Sequence, residues 1–237
     1  MGNGDDDAEL ALLTDAEVQI EGRMPWSSNA TFRVLLLVEG VEQGKAIYKP
    51  LRGERPLWDF EPGLHRREVA AYRLSVATGL HLVPPTVLRD GPLGEGSLQW
   101  YVEADHEQHY FTILESRPDL HPRLRDFAVF DVLANNTDRK SGHILIAHDD
   151  GLWGIDHGLC FAADFKLRTV VWDFGGEPLP EHLMAALVAL AQEVPASVAE
   201  LLAPDEVAAI GERAAQLVLH NVLPTDPSGR RYPWPLV

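Results

Sequence analysis

Cysteine is almost missing from this chain: Cys160 is the only one among 237 residues. A single thiol excludes an internal disulfide and any multi-cysteine metal site, and it fits a reducing compartment. Basic charge is also scarce. The 20 Lys and Arg are outnumbered by 36 Asp and Glu, for a formal net charge of −16. So acidic a chain repels phosphate backbones and anionic lipid surfaces, which argues against nucleic acid and membrane as partners. There is no polybasic run and no basic amphipathic helix to reverse that average. Long apolar runs are missing too. The longest, Val34 to Val38 and Leu183 to Ala191, fall far short of the roughly 20 residues a bilayer span needs. Met1-Gly2-Asn3-Gly4-Asp5-Asp6-Asp7 has no signal-peptide apolar core, and Asp6 stands where a myristoylation motif has Ser or Thr. These absences lead to the expectation of a cytoplasmic protein.

What is present is a globular composition, 46% apolar, without internal repeats or low-complexity tracts. The pattern divides the chain in three. Residues 1–13 read as an acidic flexible leader. Residues 14–103 read as a β-rich lobe with one helix: strands over Val18–Met24, Thr31–Val38, Ala46–Leu51, Val83–Leu88 and Gly96–Val102, and a helix over Leu64–Thr78 stopped by Gly79. At 100° per residue that helix gathers Val69, Ala70, Tyr72, Leu74, Val76 and Ala77 on one face. Residues 104–237 read as a mostly helical lobe, with a buried helix over Arg123–Asn135 and helical pattern over Glu181–His220 broken near Pro195. The fold class expected is α+β with two lobes.

The stretch from Asn135 to Phe161 carries most of the chemistry. Ile144-Leu145-Ile146-Ala147 and Leu152-Trp153-Gly154-Ile155 flank His148-Asp149-Asp150-Gly151, which is a hairpin signal. With a two-residue turn at Asp149-Asp150, His143 sits across from Asp156; with Asp150-Gly151, it faces Gly158. Either register points His143 and Asp156 to the same face, whereas a three-residue loop breaks that relation. Asp138 lies in the loop just before the hairpin. Phosphoryl transfer needs divalent metal to neutralise phosphate charge and a carboxylate to orient the attacking hydroxyl, and two separated Asp can divide those tasks. Taken alone, Asp138 can equally be a turn former and His143 an ordinary hydrogen-bonded residue.

Asn136-Thr137-Asp138-Arg139, a polar residue at 143 and Ile155-Asp156-His157-Gly158-Leu159 resemble the catalytic loop and metal motif of the phosphatidylinositol 3/4-kinase superfamily. The closest likeness is to type II phosphatidylinositol 4-kinases, with HipA-like and secretory-pathway Fam20-like kinases more distant. Four further segments match in the same order. Trp26-Ser27-Ser28-Asn29-Ala30-Thr31-Phe32 looks like the phosphate loop, and Tyr48-Lys49-Pro50 like the lysine strand. Arg67 to Tyr72, with Val83-Pro84-Pro85-Thr86, looks like the helix and strand that follow. Gly96 to Glu103 looks like the hinge. An uncharacterised actinobacterial group shares this kinase-like core.

The resemblance implies a two-lobed protein-kinase-like fold of the phosphatidylinositol 3/4-kinase-like type, using ATP and Mg2+ or Mn2+. It implies that Asp138 orients the acceptor hydroxyl or takes its proton, and that Asp156 holds metal with His143 as second ligand. Lys49 would contact phosphate and Glu68 would fix Lys49. Ser27 and Ser28 would offer backbone N–H groups to phosphate, and the Val102 backbone would receive adenine. The acceptor would be a protein or a soluble small molecule. Three features depart from the family pattern: His143 where Asn is common, Lys140 where His or Gly is common, and no glycine-rich loop of the protein-kinase type. His143 keeps open a nucleotide-binding regulator without turnover; a metal-dependent phosphoesterase using Asp138, His143, Asp156 and His157 and transfer of AMP in place of phosphate stand as further alternatives.

Overall fold

The computed structural model describes residues 5–25, 27 and 29–237. From Asp5 on, the acidic start is not the flexible leader expected over residues 1–13. Asp5–Asp15 form helix α1, with Leu13 fully buried in an apolar cluster with Val34, Leu36, Ala46, Tyr48 and Leu98. That contact orders the segment, and charge helps at both ends: acidic residues open the helix, where its dipole favours negative charge. At its far end the Arg89 guanidinium donates to the carbonyls of Leu13 at 2.9 Å and Ala16 at 3.0 Å.

Five antiparallel strands follow: β1 (Glu17–Arg23), β2 (Phe32–Val38), β3 (Val41–Pro50), β4 (Thr86–Gly91) and β5 (Gly94–Trp100), in spatial order β1-β2-β3-β5-β4. Period-two alternation sends Ala46 and Tyr48 of β3 into the cluster under α1 and Lys49 to the opposite face. Helix α2 (Leu64–Ala77) crosses between β3 and β4 in the chain and packs against β4 and β5. It is buried over most of its circumference from Leu64 to Tyr72. Val76 and Ala77, expected on the buried face, are exposed, while Leu74 and Ser75 beside them are fully buried.

The second half holds α3 (Tyr110–Ser116), α4 (His121–Ala134), the hairpin β6 (Ile144–Ile146) and β7 (Leu152–Gly154), then α5 (Met184–Gln192), α6 (Ala196–Ala199) and α7 (Pro204–His220). The expected break near Pro195 lies between α5 and α6, and Pro204 occupies the first turn of α7, where a missing N–H costs nothing. A large apolar cluster joins Phe127, Val129, Phe130 and Leu133 of α4 to α5 and α7, and it takes in Ala70, Ala71 and Leu74 of α2. Helix α2 therefore couples the sheet half to the helical half. No helix among the described residues is long and apolar enough to cross a membrane.

Candidate active site

The site is assembled from β3, α2, the loop after α4 and the end of β7. From β3, the Lys49 ammonium donates to Glu68 Oε1 of α2 and, at 2.8 Å, to Asp156 Oδ1. The second Glu68 oxygen accepts the backbone N–H of His157 at 2.9 Å. One buried carboxylate thus fixes both the lysine and the residue beside Asp156. Burial alone would lower the Lys49 pKa, but Asp156 and Glu68 outweigh it and hold the ammonium charged. Lys49 in turn depresses Asp156 far below the usual carboxylate range, with His143 assisting against burial.

His143 and Asp156 do meet, though not through the register expected. The pairs Ile144↔Gly154, Leu145↔Trp153 and Ile146↔Leu152 and the Ala147 N–H to Gly151 carbonyl bond at 2.9 Å leave a three-residue turn, His148 to Asp150. His143 therefore lies opposite Ile155, whose N–H donates to the His143 carbonyl at 3.0 Å, and not opposite Asp156 or Gly158. Two departures from strand geometry restore the meeting. His143 ends a short 3-10 turn, Ser141–His143, and Asp156 adopts a left-handed backbone, φ 61°. His143 Nε2 then lies 3.5 Å from Asp156 Oδ2. A left-handed non-glycine residue at a strand end is strained, and such strain concentrates at functional positions. Burial, together with Arg139, Lys140 and Lys49, pushes the His143 pKa down to about 4 despite Asp156, so the ring is neutral and can offer a lone pair.

Asp138 lies in the loop between α4 and the turn that ends at His143. Its Oδ2 is 3.0 Å from Lys140 Nζ. Burial raises its pKa, Lys140 opposes that, and Asp156 adds to it. A raised carboxylate pKa is the property a proton acceptor for a hydroxyl requires.

Behind these groups is a buried hub that the residue pattern alone did not single out. Arg139 and Asp131 are both fully buried and paired at 3.0 Å. Arg139 also reaches the carbonyls of His143 at 3.3 Å and Ile155 at 3.1 Å, and His157 Nε2 at 2.7 Å. Asp131 accepts further bonds from Asn136 Nδ2 at 3.0 Å and Thr169 Oγ1 at 2.8 Å. Asn136 Oδ1 receives the Asp138 N–H at 3.0 Å. Asn135 caps α4 in a left-handed conformation and its amide donates to the carbonyls of Ala162 at 2.8 Å and Asp164 at 2.7 Å. One available signal was Asp131 itself, an acid inside the apolar run Phe127 to Ala134: a buried acid needs a partner, and Arg139 is the nearest arginine after it.

Ser27 and Val102 stand apart: no hydrogen bond or ion pair joins them to the charged group among the described residues. Ser27 lies between β1 and β2, its hydroxyl 2.8 Å from that of Thr31; Ser28 lies outside the described residues. Val102 follows β5 and, with Lys45, Tyr101, Glu103 and Trp153, lines a cavity of about 410 Å3. Its backbone makes no hydrogen bond to the described residues. Among those residues no three His, Cys, Asp or Glu side chains converge as a preformed cation site. Asp156 and His143 do supply two donors. One or two protein donors completed by phosphate oxygens is a common way to hold a divalent ion with a nucleotide.

No family model matches the chain. Protein Rv2133c of Mycobacterium tuberculosis (strain ATCC 25618 / H37Rv) is 38% identical to it over 266 residues, which is 97% of this chain and 95% of that protein. Two solved kinases share its fold. The Golgi casein kinase with Mn/ADP bound superposes with a TM-score of 0.58 at 15% identity, covering 98% of this chain and 80% of its own. The Helicobacter pylori proinflammatory kinase CtkA gives 0.51 at 11% identity, covering 89% and 94%. The fold is therefore two-lobed and kinase-like.

Proposed function

We propose that the chain, which belongs to the family of Protein Rv2133c, is an atypical kinase that transfers the γ-phosphoryl group of ATP to a hydroxyl of a protein or soluble small molecule. The observation that carries this reading is the convergence, in a kinase-like fold, of the Lys49–Glu68 pair, Asp156 with His143, and Asp138 with Lys140. Lys49 would turn from Asp156 to the phosphates when nucleotide enters, with Glu68 keeping it aimed. Asp156 and His143 would hold Mg2+ or Mn2+, which supplies neutralisation of phosphate charge. Asp138, its proton affinity raised by burial, would accept the proton of the attacking hydroxyl, and Lys140 would steady both. Ser27 and Ser28 as phosphate contacts and the Val102 backbone as adenine contact belong to the same proposal. So does the finer placement beside the phosphatidylinositol 3/4-kinase superfamily, which rests on the order of the motifs. The acceptor side would be the cavity of about 880 Å3 between the 51–64 loop and residues 162–166. A cytoplasmic setting is proposed from composition and the lone cysteine.

The His143 substitution favours one competitor, nucleotide binding without turnover. ATP labelled at the α- or the γ-phosphate separates the readings. Kinase activity moves γ label to an acceptor or water, AMP transfer moves α label, and a silent regulator moves neither while still showing a metal-dependent thermal shift. At ligand a hundred times its dissociation constant that shift reflects about 2.7 kcal/mol. Hydrolysis of a phosphoester without nucleotide would instead select the phosphoesterase. Absence of any metal-dependent shift with millimolar ATP would reject the nucleotide site.

A further inference from the structure

The segment following α7 returns across the catalytic loop. The Arg231 carbonyl accepts the Thr169 N–H at 3.2 Å and the Trp172 indole N–H at 3.0 Å, and its guanidinium lies 4.6 Å from the Phe165 ring centroid. Five residues on, the Leu236 carbonyl accepts the Ser141 N–H at 2.8 Å. Ser141 sits between Asp138 and His143 and opens the turn that ends at His143. It is fully buried with the segment seated, and its N–H, one of the orphan donors at the start of a turn, is satisfied by Leu236.

The hold on this segment is light. Pro233 is buried, but Trp234 is 89% exposed and Val237 66%. A segment held by a few main-chain bonds and little apolar burial opens locally at small cost. Among the described residues no hydrogen bond or ion pair links it to Lys49, Asp138 or Asp156, so it braces the loop from the side and does not occupy the site.

We propose that residues 230–237 are a positioning strap. The Leu236 carbonyl fixes Ser141 and hence the turn presenting His143, Arg231 fixes the 165–172 segment, and turnover requires the strap to be seated. This rests on reading Asp138 and His143 as the reacting face. The strap explains the Pro- and Trp-rich ending Arg231-Tyr232-Pro233-Trp234-Pro235, for which the sequence pattern offers no role: proline restricts the free segment and reduces the entropy lost on seating.

Two variants test it. One lacks residues 233–237. The other is Ser141→Pro, which removes the donor to Leu236 while keeping the chain whole. Proline suits that position, because Lys140 is extended (φ −82°, ψ 162°) and position one of a turn tolerates a missing N–H. The Ser141 hydroxyl has no partner among the described residues, so losing it costs little. In both variants amide exchange at Gly142 and His143 should quicken at least tenfold. Phosphate release from Mn-ATP should fall at least tenfold in kcat, with the Mn-ATP dissociation constant within twofold of wild type. Unchanged exchange, or quickened exchange with kcat retained or raised, overturns the strap. Should the wild-type chain release no phosphate, the kinase reading fails by itself, and exchange still decides whether the strap braces the loop.

Discussion

The charged face of the cleft and the hub behind it use the same residue types to opposite ends. In the hub, Asp131 and Arg139 are wholly buried, and between them they reach Asn136, Thr169, His157 and two carbonyls. On the face, Asp156 is half exposed and its partners Lys49 and His143 are each shared or loosely placed. A buried network whose charged members are all paired specifies one arrangement, even with His157 Nδ1 left without a partner among the described residues. A half-exposed pair can exchange partners when phosphate and metal arrive. The molecule thus separates the charges that hold the loop from those that would react.

The sharpest way to break this contrast is to cut each side. Asp131→Ala strands a buried guanidinium and should cost about 3–5 kcal/mol, whereas Asp156→Asn, which leaves Lys49 paired with Glu68, should cost less than about 1 kcal/mol. Urea midpoints for both variants measure the difference; equal losses would abolish the division. On the face itself, Asp138→Asn should lower phosphate transfer by roughly 10²–10⁴ and leave urea stability near wild type, read from steady-state rates beside the same melts.

His143→Asn exchanges an imidazole nitrogen for an amide oxygen. Magnesium prefers oxygen and imidazole suits softer ions, so the manganese-to-magnesium rate ratio should fall several-fold in the variant. An unchanged ratio would remove His143 from the ion's coordination shell.

The smallest effect concerns a third ionic group, in the sheet half. His65 is buried between Glu54 at 2.7 Å and Glu95 at 2.9 Å. Burial lowers its pKa, but the two carboxylates outweigh that and raise it. Burial would raise Glu54, yet hydrogen bonds from His65 and nearby amides bring it down to about 2. The His65 contribution is therefore complete below about pH 6.5 and lost as pH rises through its raised folded value. The Glu54 contribution is present above its ordinary value and lost as pH falls towards 2. His65→Gln should flatten the alkaline limb of a stability–pH profile measured by urea melts; an unaltered limb would place the linkage elsewhere.

The sequence was legible where periodicity or local chemistry sets structure. The strands β1 to β5, the helix α2 and the hairpin follow from alternation and apolar spacing, although β3 starts at Val41 and β4 at Thr86, away from the expected Ala46 and Val83, and the hairpin turn is His148 to Asp150 and not a two-residue turn. Lys49, Glu68, His143 and Asp156 come together as the motif order implied, and Asp138 pairs with Lys140 in the loop just before His143. What was not legible depended on distant contacts. Helix α1 is held by Leu13 in the apolar cluster with Val34, Leu36, Tyr48 and Leu98, and an acidic run gives no sign of that. The meeting of His143 with Asp156 depends on a left-handed residue at a strand end, which a register argument cannot supply. The hub joins Asp131, Arg139 and Thr169 across 38 residues of chain, and such pairing has no local pattern.

Calorimetric titration of Mn-ATP into wild type, Asp156→Asn and Asp138→Asn tests the central claim most directly. Asp156 is assigned to metal and nucleotide, Asp138 to the acceptor hydroxyl. The account predicts binding to wild type, loss of at least about tenfold in Asp156→Asn through the missing anionic ligand, and a dissociation constant within about threefold of wild type in Asp138→Asn, as expected of a group acting in the transition state only. Equal weakening in both variants, or no binding by wild type, would contradict it.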